Sequence, residues 1–285
     1  MTLIDGKSIS AKVKDEIKSA ASDLAAKGVK PALAVILVGD DAASKTYVAS
    51  KEKACAACGI RSVAHRLSSD VSEAALLELI ENLNEDESID GILVQLPLPK
   101  HIDTNKILEK ISPQKDVDGF SAINVGKLTS GLADGFVPCT PLGVMRLLEE
   151  YGVQIAGKNA VVLGRSNIVG KPMASLLLNA DATVTIAHSK TKNLKQLCAD
   201  ADILVAAVGR AHFVSADMVK EGTVVIDVGI NRGEDGKLRG DVDFDAVAPK
   251  CSLITPVPGG VGPMTIAMLL SNTIKSAKNR LKQRA

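Results

Sequence analysis

Hydrophobic positions follow two alternating patterns along this chain. Apolar residues recur at helical spacing from Ser8 to Lys27, and the continuous apolar run ALAVILVG follows at residues 32–39. Such a run is typical of a parallel strand buried on both faces. The pattern then predicts a helix at about 42–57, a strand at 60–67, a helix at 72–84 and the strand DGILVQLP at 90–97. This alternation indicates an α/β fold with a mainly parallel sheet.

A second, more regular alternation follows a looser segment at residues 101–120. In order, the sequence predicts the helix TPLGVMRLLEEYG, strand NAVVLG, helix IVGKPMASLLLN, strand ATVTIAH, helix NLKQLCAD, strands DILVAAVG and TVVIDVG, the hairpin NRGEDGKLRGDVD, and a helix from 261 to 285. We therefore expect two α/β domains around a cleft. The first covers residues 1–120, with the helix 263–285 packing back on it, and the second, Rossmann-type domain covers 138–270.

Composition excludes several classes of partner. The 285 residues carry a formal net charge of +1, so no general field attracts nucleic acid, and the absence of Trp argues against base-stacking platforms. No segment approaches the apolar length that a membrane helix requires, and the amino terminus lacks a signal-peptide pattern. We expect a cytoplasmic protein that binds neither nucleic acid nor membrane.

The five cysteines form an odd count, which fits a reducing compartment. Cys55 and Cys58 form a CxxC, a spacing that occurs in thiol redox sites and in half of a zinc site. No second CxxC completes it, so we interpret both as buried thiols on a helix. The four histidines have no metal-ligand spacing, and no metal is predicted.

A glycine-rich loop, GRSNIVG, lies between a predicted strand and helix at residues 164–170. Gly164 permits a sharp turn, and the start of the following helix suits a phosphate. The loop is not GxGxxG, but its place in a βαβ unit favours a dinucleotide site. The candidate cofactor residues are Gly164, Arg165, Ser166, Ser189 and Ile230.

The next strand end indicates which dinucleotide binds. An NAD site usually has an acidic residue there, whereas HSKTK at residues 188–192 offers hydroxyls, including that of Ser189, and cations. Arg165 can assist in holding a 2′-phosphate, which favours NADP. Ile230, at the end of the strand in DVGIN, is expected to contact the nicotinamide side.

Tyr47 and Lys51, in TYVASK, share one face of a predicted helix. A phenol beside an amine handles protons in several enzyme classes. In a short-chain dehydrogenase this pair follows the glycine loop, but here it precedes Gly164 by more than a hundred residues. Gln95 and Asp118 are polar residues at or just beyond strand ends, and PGGVGPMT at 258–265 permits close approach to a flat ligand.

Six blocks together carry a family resemblance: YVASKEKACAACGI, NLNEDESIDGILVQLPLP, KDVDGFSAIN, PCTPLG, GRSNIVGKP and PVPGGVGPMT. In this order they resemble the bifunctional methylenetetrahydrofolate dehydrogenase/methenyltetrahydrofolate cyclohydrolase family. The resemblance implies NADP-dependent oxidation of 5,10-methylenetetrahydrofolate, hydrolysis of the methenyl product to 10-formyltetrahydrofolate, and a homodimer.

The resemblance also implies residue roles. Lys51 is expected to transfer the proton, Gln95 to orient Lys51, Tyr47 to pack against the substrate, and Asp118 to anchor the pterin. The catalytic candidates are Tyr47, Lys51, Gln95 and Asp118, and the substrate-binding candidates are Tyr47, Lys51, Val94, Gln95, Leu96, Asp118, Pro258, Gly259 and Gly260.

Two other interpretations remain. A short-chain-type reductase would use Tyr47 as its acid, but the order of the motifs opposes it. A non-catalytic NADP-binding module would leave the polar strand-end residues without a role.

Overall fold

The computed structural model describes residues 1–283. Its helices are α1 (Gly6–Ala26), α2 (Ala42–Ala57), α3 (Glu73–Glu85), α4 (Thr104–Lys110), α5 (Ala122–Thr129), α6 (Cys139–Glu150), α7 (Gly170–Asn179), α8 (Leu194–Ala199), α9 (Phe244–Val247) and α10 (Val261–Gln283). Its strands are β1 (Thr2–Leu3), β2 (Ala32–Val38), β3 (Arg61–Leu67), β4 (Gly91–Val94), β5 (Asn159–Leu163), β6 (Thr183–Ala187), β7 (Ile203–Ala206), β8 (Thr223–Asp227), β9 (Asn231–Arg232), β10 (Leu238–Arg239) and β11 (Cys251–Ile254). The last two residues of the predicted carboxyl-terminal helix lie outside the described range.

The chain divides into two compact units, and the divisions fall inside α1, after the first residue of α6 and inside α10. We name them by their sheets. The six-stranded unit contains residues 1–11 and 140–265, and the three-stranded unit contains residues 12–139 and the chain from 266 onward. Residues 1–11 join the six-stranded unit because β1 pairs in parallel with β11. The expected first domain, 1–120, included these residues, whereas the structure groups them with the six-stranded sheet.

The three-stranded unit has the parallel sheet order β3-β2-β4. All seven residues of the central strand β2 are buried, as its unbroken apolar run predicts. Leu76 and Ile80 of α3 pack on one face of this sheet. Near the end of the chain, Arg280 of α10 donates to both carboxylate oxygens of Asp90, at 2.7 and 3.0 Å.

The six-stranded unit has the sheet order β1-β11-β8-β7-β5-β6, and its neighbouring strands pair in parallel. Strand β6 follows β5 in sequence and pairs with one edge of β5. The next strand, β7, pairs with the opposite edge of β5. The chain thus reverses direction across the sheet between β5 and β7. In open α/β sheets, such a switch point is where nucleotides bind, beyond the carboxyl ends of the strands.

Several short elements differ from the sequence prediction. Helices α4 and α5 lie in and just after the segment interpreted as loose, where Asp103 and Ser121 cap them by accepting from backbone N–H groups. Strands β1 and β11 were not predicted, because two and four residues are too few to show a pattern. The predicted hairpin is confirmed as the antiparallel pair β9-β10. Within residues 1–283, no helix combines the length and apolar character needed to cross a lipid bilayer.

Candidate functional site

Lys51 and Gln95 meet at the switch point of the three-stranded sheet. Strand β2 leads into α2, which carries Lys51, and Gln95 directly follows β4 on the other side of β2. The Lys51 Nζ donates to Gln95 Oε1 at 2.9 Å. Gln95 is itself fixed, because its Nε2 donates to Leu96 O at 2.8 Å and its backbone N to Ile36 O at 2.9 Å. The pair predicted to interact is therefore in contact.

Asp118 and Cys139 complete this cluster. The segment before Asp118 runs beside β4, since Ile92 N donates to Lys115 O at 2.8 Å and Asp116 bridges Ile92 in parallel. The Cys139 thiol lies 3.4 Å from Asp118 Oδ1. Cys139 belongs to no cysteine motif in the sequence, and only the tertiary structure brings it to the cluster.

Burial and charge act in opposite directions within this cluster. Burial lowers the pKa of Lys51, while the Asp118 carboxylate raises it in part. Burial raises the pKa of Asp118, and Lys51 opposes that change. Burial also raises the pKa of the Cys139 thiol well above its usual range, so Cys139 is a neutral thiol rather than a nucleophile. The lowered pKa makes the neutral amine of Lys51, the form that can accept a proton, easier to reach than in a free lysine.

The loop that carries Asp118 is held by two residues that the sequence did not single out. Asp116 is buried and accepts from Phe120 N, Ser121 N and Asn124 Nδ2. From α10, Asn272 Nδ2 donates to Val117 O at 2.8 Å and Val137 O at 3.0 Å. These bonds fix the backbone on either side of Asp118.

The remaining candidates of the three-stranded unit differ in exposure. Tyr47 lies one helical turn before Lys51 on α2, and 46% of its surface is exposed, so its ring is available to a ligand. Leu96 is half-buried. The Val94 side chain, in contrast, is buried in the core, which makes it a part of the scaffold under Gln95.

The glycine loop of the six-stranded unit follows β5. Gly164 has φ +116, and a Cβ there would lie 2.2 Å from Ala207 O. A Cβ on Gly170, at the start of α7, would lie 2.1 Å from Gly164 O. Both positions therefore require glycine for the strand end and the helix to approach this closely.

Ser166 binds backbone amides at the start of α7, where the sequence predicts the phosphate site. Its Oγ accepts from Val169 N at 3.1 Å and Gly170 N at 3.3 Å, so two first-turn amides are already satisfied. The Ser166 hydroxyl keeps its hydrogen as a donor, and Arg165 beside it is exposed. An anion at this loop would therefore meet side-chain donors more than free amides.

The loop that follows β6 begins beside the glycine loop that follows β5, because Gly164 N donates to Ala187 O at 2.8 Å. His188 begins a turn in which its backbone N donates to Thr191 Oγ1 at 2.8 Å. Ser189 and Lys190 are exposed in that turn, and residues 188–193 contain no acidic side chain. The loop thus offers the hydroxyl and cations expected of a 2′-phosphate site.

The remaining six-stranded candidates flank the start of α10. Ile230 is 49% exposed after β8. Pro258 is exposed, whereas Gly259 and Gly260 are buried and Gly259 O accepts from Lys7 N at 3.1 Å. The structure thus places Pro258–Gly260 in a different unit from Lys51, Gln95 and Asp118.

All five cysteines are buried and free, as interpreted for Cys55 and Cys58. Burial raises the pKa of Cys55 to about 12, so this CxxC does not present a reactive thiolate. Among residues 1–283, no group of three or more His, Cys, Asp or Glu side chains is arranged to hold a metal ion.

These features define an α/β protein with a Rossmann-type, NAD(P)-binding unit and a separate unit that carries a Lys-Gln-Asp cluster. Residues 138–281 match the family described as "Tetrahydrofolate dehydrogenase/cyclohydrolase, NAD(P)-binding domain", and residues 4–118 match its "catalytic domain". The chain belongs to the tetrahydrofolate dehydrogenase/cyclohydrolase family. The predicted family and class of enzyme are confirmed.

Three relatives show how far the similarity extends. The "Bifunctional protein FolD" of Campylobacter hominis is 71% identical over 99% of both chains. The crystal structure of the bifunctional enzyme FolD-methylenetetrahydrofolate dehydrogenase/cyclohydrolase from Campylobacter jejuni is 59% identical, with a TM-score of 0.97 over 98% of this chain and 99% of that one. The Trypanosoma brucei methylenetetrahydrofolate dehydrogenase-cyclohydrolase, complexed with NADP cofactor and an inhibitor, is 42% identical, with a TM-score of 0.94 over 100% and 99%.

Proposed function

We propose that this chain oxidises 5,10-methylenetetrahydrofolate to the methenyl cation with NADP and hydrolyses that cation to 10-formyltetrahydrofolate. The observation that carries the proposal is the hydrogen bond from Lys51 Nζ to Gln95 Oε1, beside the half-buried Asp118, in a chain of this family. A dinucleotide-binding module alone would not need this cluster in its second unit.

Lys51 is the proton acceptor of the hydrolysis. Water adds to the methenyl carbon and loses one proton to the Lys51 amine. The proton of the remaining hydroxyl then passes to N5 as the bond from the carbon to N5 breaks, which leaves the C=O of the formyl group on N10. Because burial lowers the pKa of Lys51, a neutral amine is accessible to take the proton. Gln95 fixes the amine through one N–H, and the nitrogen lone pair remains for water. Gln95 is thus a positioning residue.

Asp118 and Tyr47 hold the folate. A carboxylate can accept two hydrogen bonds from the amide N–H and the adjacent amino group of a pterin, and Asp118 is held rigidly enough for this by its loop. The exposed Tyr47 ring offers a flat apolar surface to the aminobenzoate portion. We keep Pro258–Gly260 as substrate-binding candidates, because glycines permit a close backbone approach to a flat ligand.

NADP, when bound, supplies the hydride acceptor for the first reaction. We assign its 2′-phosphate to Arg165 and Ser189, its pyrophosphate to the loop that begins with Gly164 and Ser166, and the nicotinamide end to Ile230. Exposed cations and hydroxyls at two adjacent strand ends, with no acidic side chain at 188–193, support this assignment.

The cofactor assignment predicts a preference that depends on Arg165. The wild-type chain should reduce NADP in the presence of methylenetetrahydrofolate at a higher kcat/KM than NAD, measured as reduced-nicotinamide absorbance. Replacement of Arg165 by Ser should lower kcat/KM for NADP by about 10-fold and leave that for NAD within about 2-fold, because only NADP carries the 2′-phosphate.

The outcomes distinguish a wrong cofactor assignment from a wrong function. A wild-type preference for NAD would overturn the interpretation of residues 188–192. The absence of any methylenetetrahydrofolate-dependent change in absorbance would instead favour the non-catalytic module, and reduction of simple carbonyl compounds without folate would favour the reductase.

We infer a homodimer as well. Strand β6 is an outer strand of its sheet. Ile186 on β6 and Leu178 on the preceding helix α7 are 38% and 61% exposed, and they form an apolar edge that a second copy of the chain can cover. Light scattering should give the mass of two chains at micromolar concentration. The mass of one chain throughout that range would contradict the inference.

A further inference from the structure

Asp241 is a buried carboxylate surrounded by neutral donors. It lies two residues after the hairpin β9-β10 and has no exposed surface. Its oxygens accept four hydrogen bonds, from Val208 N at 2.6 Å, Gly209 N at 2.9 Å, Arg210 N at 2.9 Å and Asn231 Nδ2 at 2.9 Å. Burial of an unpaired carboxylate costs free energy, so a carboxylate without exposed surface needs several hydrogen-bond donors to compensate it.

The four donors come from two loops at one edge of the six-stranded sheet. Residues 208–210 follow β7, and Asn231 is the first residue of β9, directly after the loop that follows β8 and carries Ile230. Strands β7 and β8 are neighbours, and the β7 loop adjoins the glycine loop, since Ala207 N donates to Leu163 O at 2.8 Å. Asp241 therefore joins two loops at the edge assigned to the dinucleotide.

The contact between Asp241 and the β8 loop leaves no spare space. A Cβ on Gly229 would lie 2.3 Å from Asp241 Oδ1, so the backbone just before Ile230 rests directly on the carboxylate. A shift of this carboxylate would therefore move Ile230, the candidate contact of the nicotinamide.

Asp227, the last residue of β8, fixes Asp241 in turn. Its Oδ1 accepts from Gly229 N and Asp241 N, both at 2.9 Å, and its Oδ2 accepts from Val242 N at 2.9 Å. Burial raises the pKa of Asp227 to about 6, although these N–H donors favour its charged form. Hydrogen bonds thus connect the end of β8 to Asp241 through Asp227, and Asp241 to the loop after β7 and to Asn231.

We propose that Asp241 is a positioning residue of the cofactor site, which holds the loops after β7 and β8 in the arrangement that accepts the nicotinamide end of NADP. This role rests on the proposed NADP-dependent activity. It concerns the oxidation step alone, because the hydrolysis at Lys51 consumes no dinucleotide.

The test is the Asp241→Asn variant, which keeps the shape but turns an NH₂ group toward N–H donors. At least one buried amide then loses its acceptor, which should displace the loops. The NADP dissociation constant, followed by NADP-dependent protection of the folded chain or by calorimetry, should rise about 10-fold or more. The KM for NADP should rise with it, while methenyl hydrolysis without cofactor stays within about 2-fold.

Asp245→Asn is the matched control, because Asp245 is an exposed carboxylate four residues further along. It should leave both NADP binding and hydrolysis unchanged. Asn231→Ala removes only one donor to Asp241 and should weaken NADP binding by about 3-fold. This variant replaces Asp241→Asn in the experiment if Asp241→Asn does not fold.

Unchanged NADP affinity in folded Asp241→Asn, or in Asn231→Ala if only that variant folds, would overturn the role. Equal losses of NADP binding and of hydrolysis would also overturn it, because they would indicate general destabilisation. Failure of the proposed function is distinguishable: the wild-type chain itself would then show no folate-dependent reduction of NADP, whatever the variants do.

Discussion

Replacement of Lys51 by Met should reduce methenyl hydrolysis by roughly 100- to 10,000-fold, the range that a positioned general base contributes. Methionine keeps most of the length and apolar stem of lysine but has no amine to take the proton from water. The rate is measured as the decay of methenyl absorbance in the absence of NADP, corrected for the uncatalysed reaction.

The dehydrogenase step should retain more activity in the same variant. Hydride transfer depends mainly on holding two rings in contact, and no proton needs to leave the reacting carbon. Methenyltetrahydrofolate should therefore accumulate when the variant oxidises methylenetetrahydrofolate with NADP. This accumulation is the diagnostic result, since wild-type enzyme passes the methenyl compound on to the formyl product.

Lys53→Met is the matched control, because Lys53 is exposed on the same helix two residues later. It should leave both rates within about 2-fold, as surface substitutions usually do. If Lys51→Met lost folate binding and both activities to the same extent, Lys51 would be a binding or structural residue. Unchanged hydrolysis would remove it from the mechanism altogether.

Gln95→Ala tests how much of this effect depends on orientation. Loss of the 2.9 Å bond to Lys51 Nζ leaves the amine present but free to rotate. Hydrolysis should fall less than in Lys51→Met, and the double variant should be no worse than Lys51→Met alone, because residues that act as one unit are not additive.

The sequence predicted those features that depend on local pattern. The run ALAVILV indicated a strand covered on both faces, and β2 is buried at every position. The spacing of Tyr47 and Lys51 indicated one helix face, and both lie on α2. Gln95 was identified as a polar strand end, and the switch-point rule explains why it meets Lys51.

Contacts between distant segments were not predictable in the same way. Asn272 and Val117 are separated by 155 positions, and nothing near Asn272 in the sequence distinguishes it from an ordinary polar residue on a helix. Asp241 lies in a segment that was interpreted only as a hairpin, yet it accepts hydrogen bonds from the loop after β7 and from Asn231. Strand β1 consists of two residues and is defined only by its pairing with β11. Such features arise from tertiary packing, which periodicity does not encode.

The second large effect is expected for Asp118. Asp118→Asn should raise the KM for methylenetetrahydrofolate by roughly 100-fold or more, because the amide cannot accept two hydrogen bonds from the pterin and a donor is left facing donors. The KM for NADP should change far less. Asp70→Asn, an exposed carboxylate of the same unit, is the control and should change neither value.

The same variant should also change the pH dependence of the residual hydrolysis. Burial lowers the pKa of Lys51, and the negative charge of Asp118, more than the smaller effects of Cys139 and Cys55, raises it again. Removal of that charge should lower the Lys51 pKa further. With Lys51 as the proposed proton acceptor, the hydrolysis rate should increase with pH as Lys51 becomes neutral, and the acid limb of the profile should move to lower pH in Asp118→Asn.

A profile measured at saturating methenyltetrahydrofolate separates this effect from weakened binding. An acid limb that stays in place while KM rises would show that Asp118 binds folate without acting on the Lys51 amine. A limb that moves to higher pH would contradict the electrostatic argument, because a neutral amide cannot stabilise the ammonium form better than a carboxylate does. Combination with Lys51→Met provides the last check: if Lys51 is the titrating group, the acid limb should be absent from the double variant.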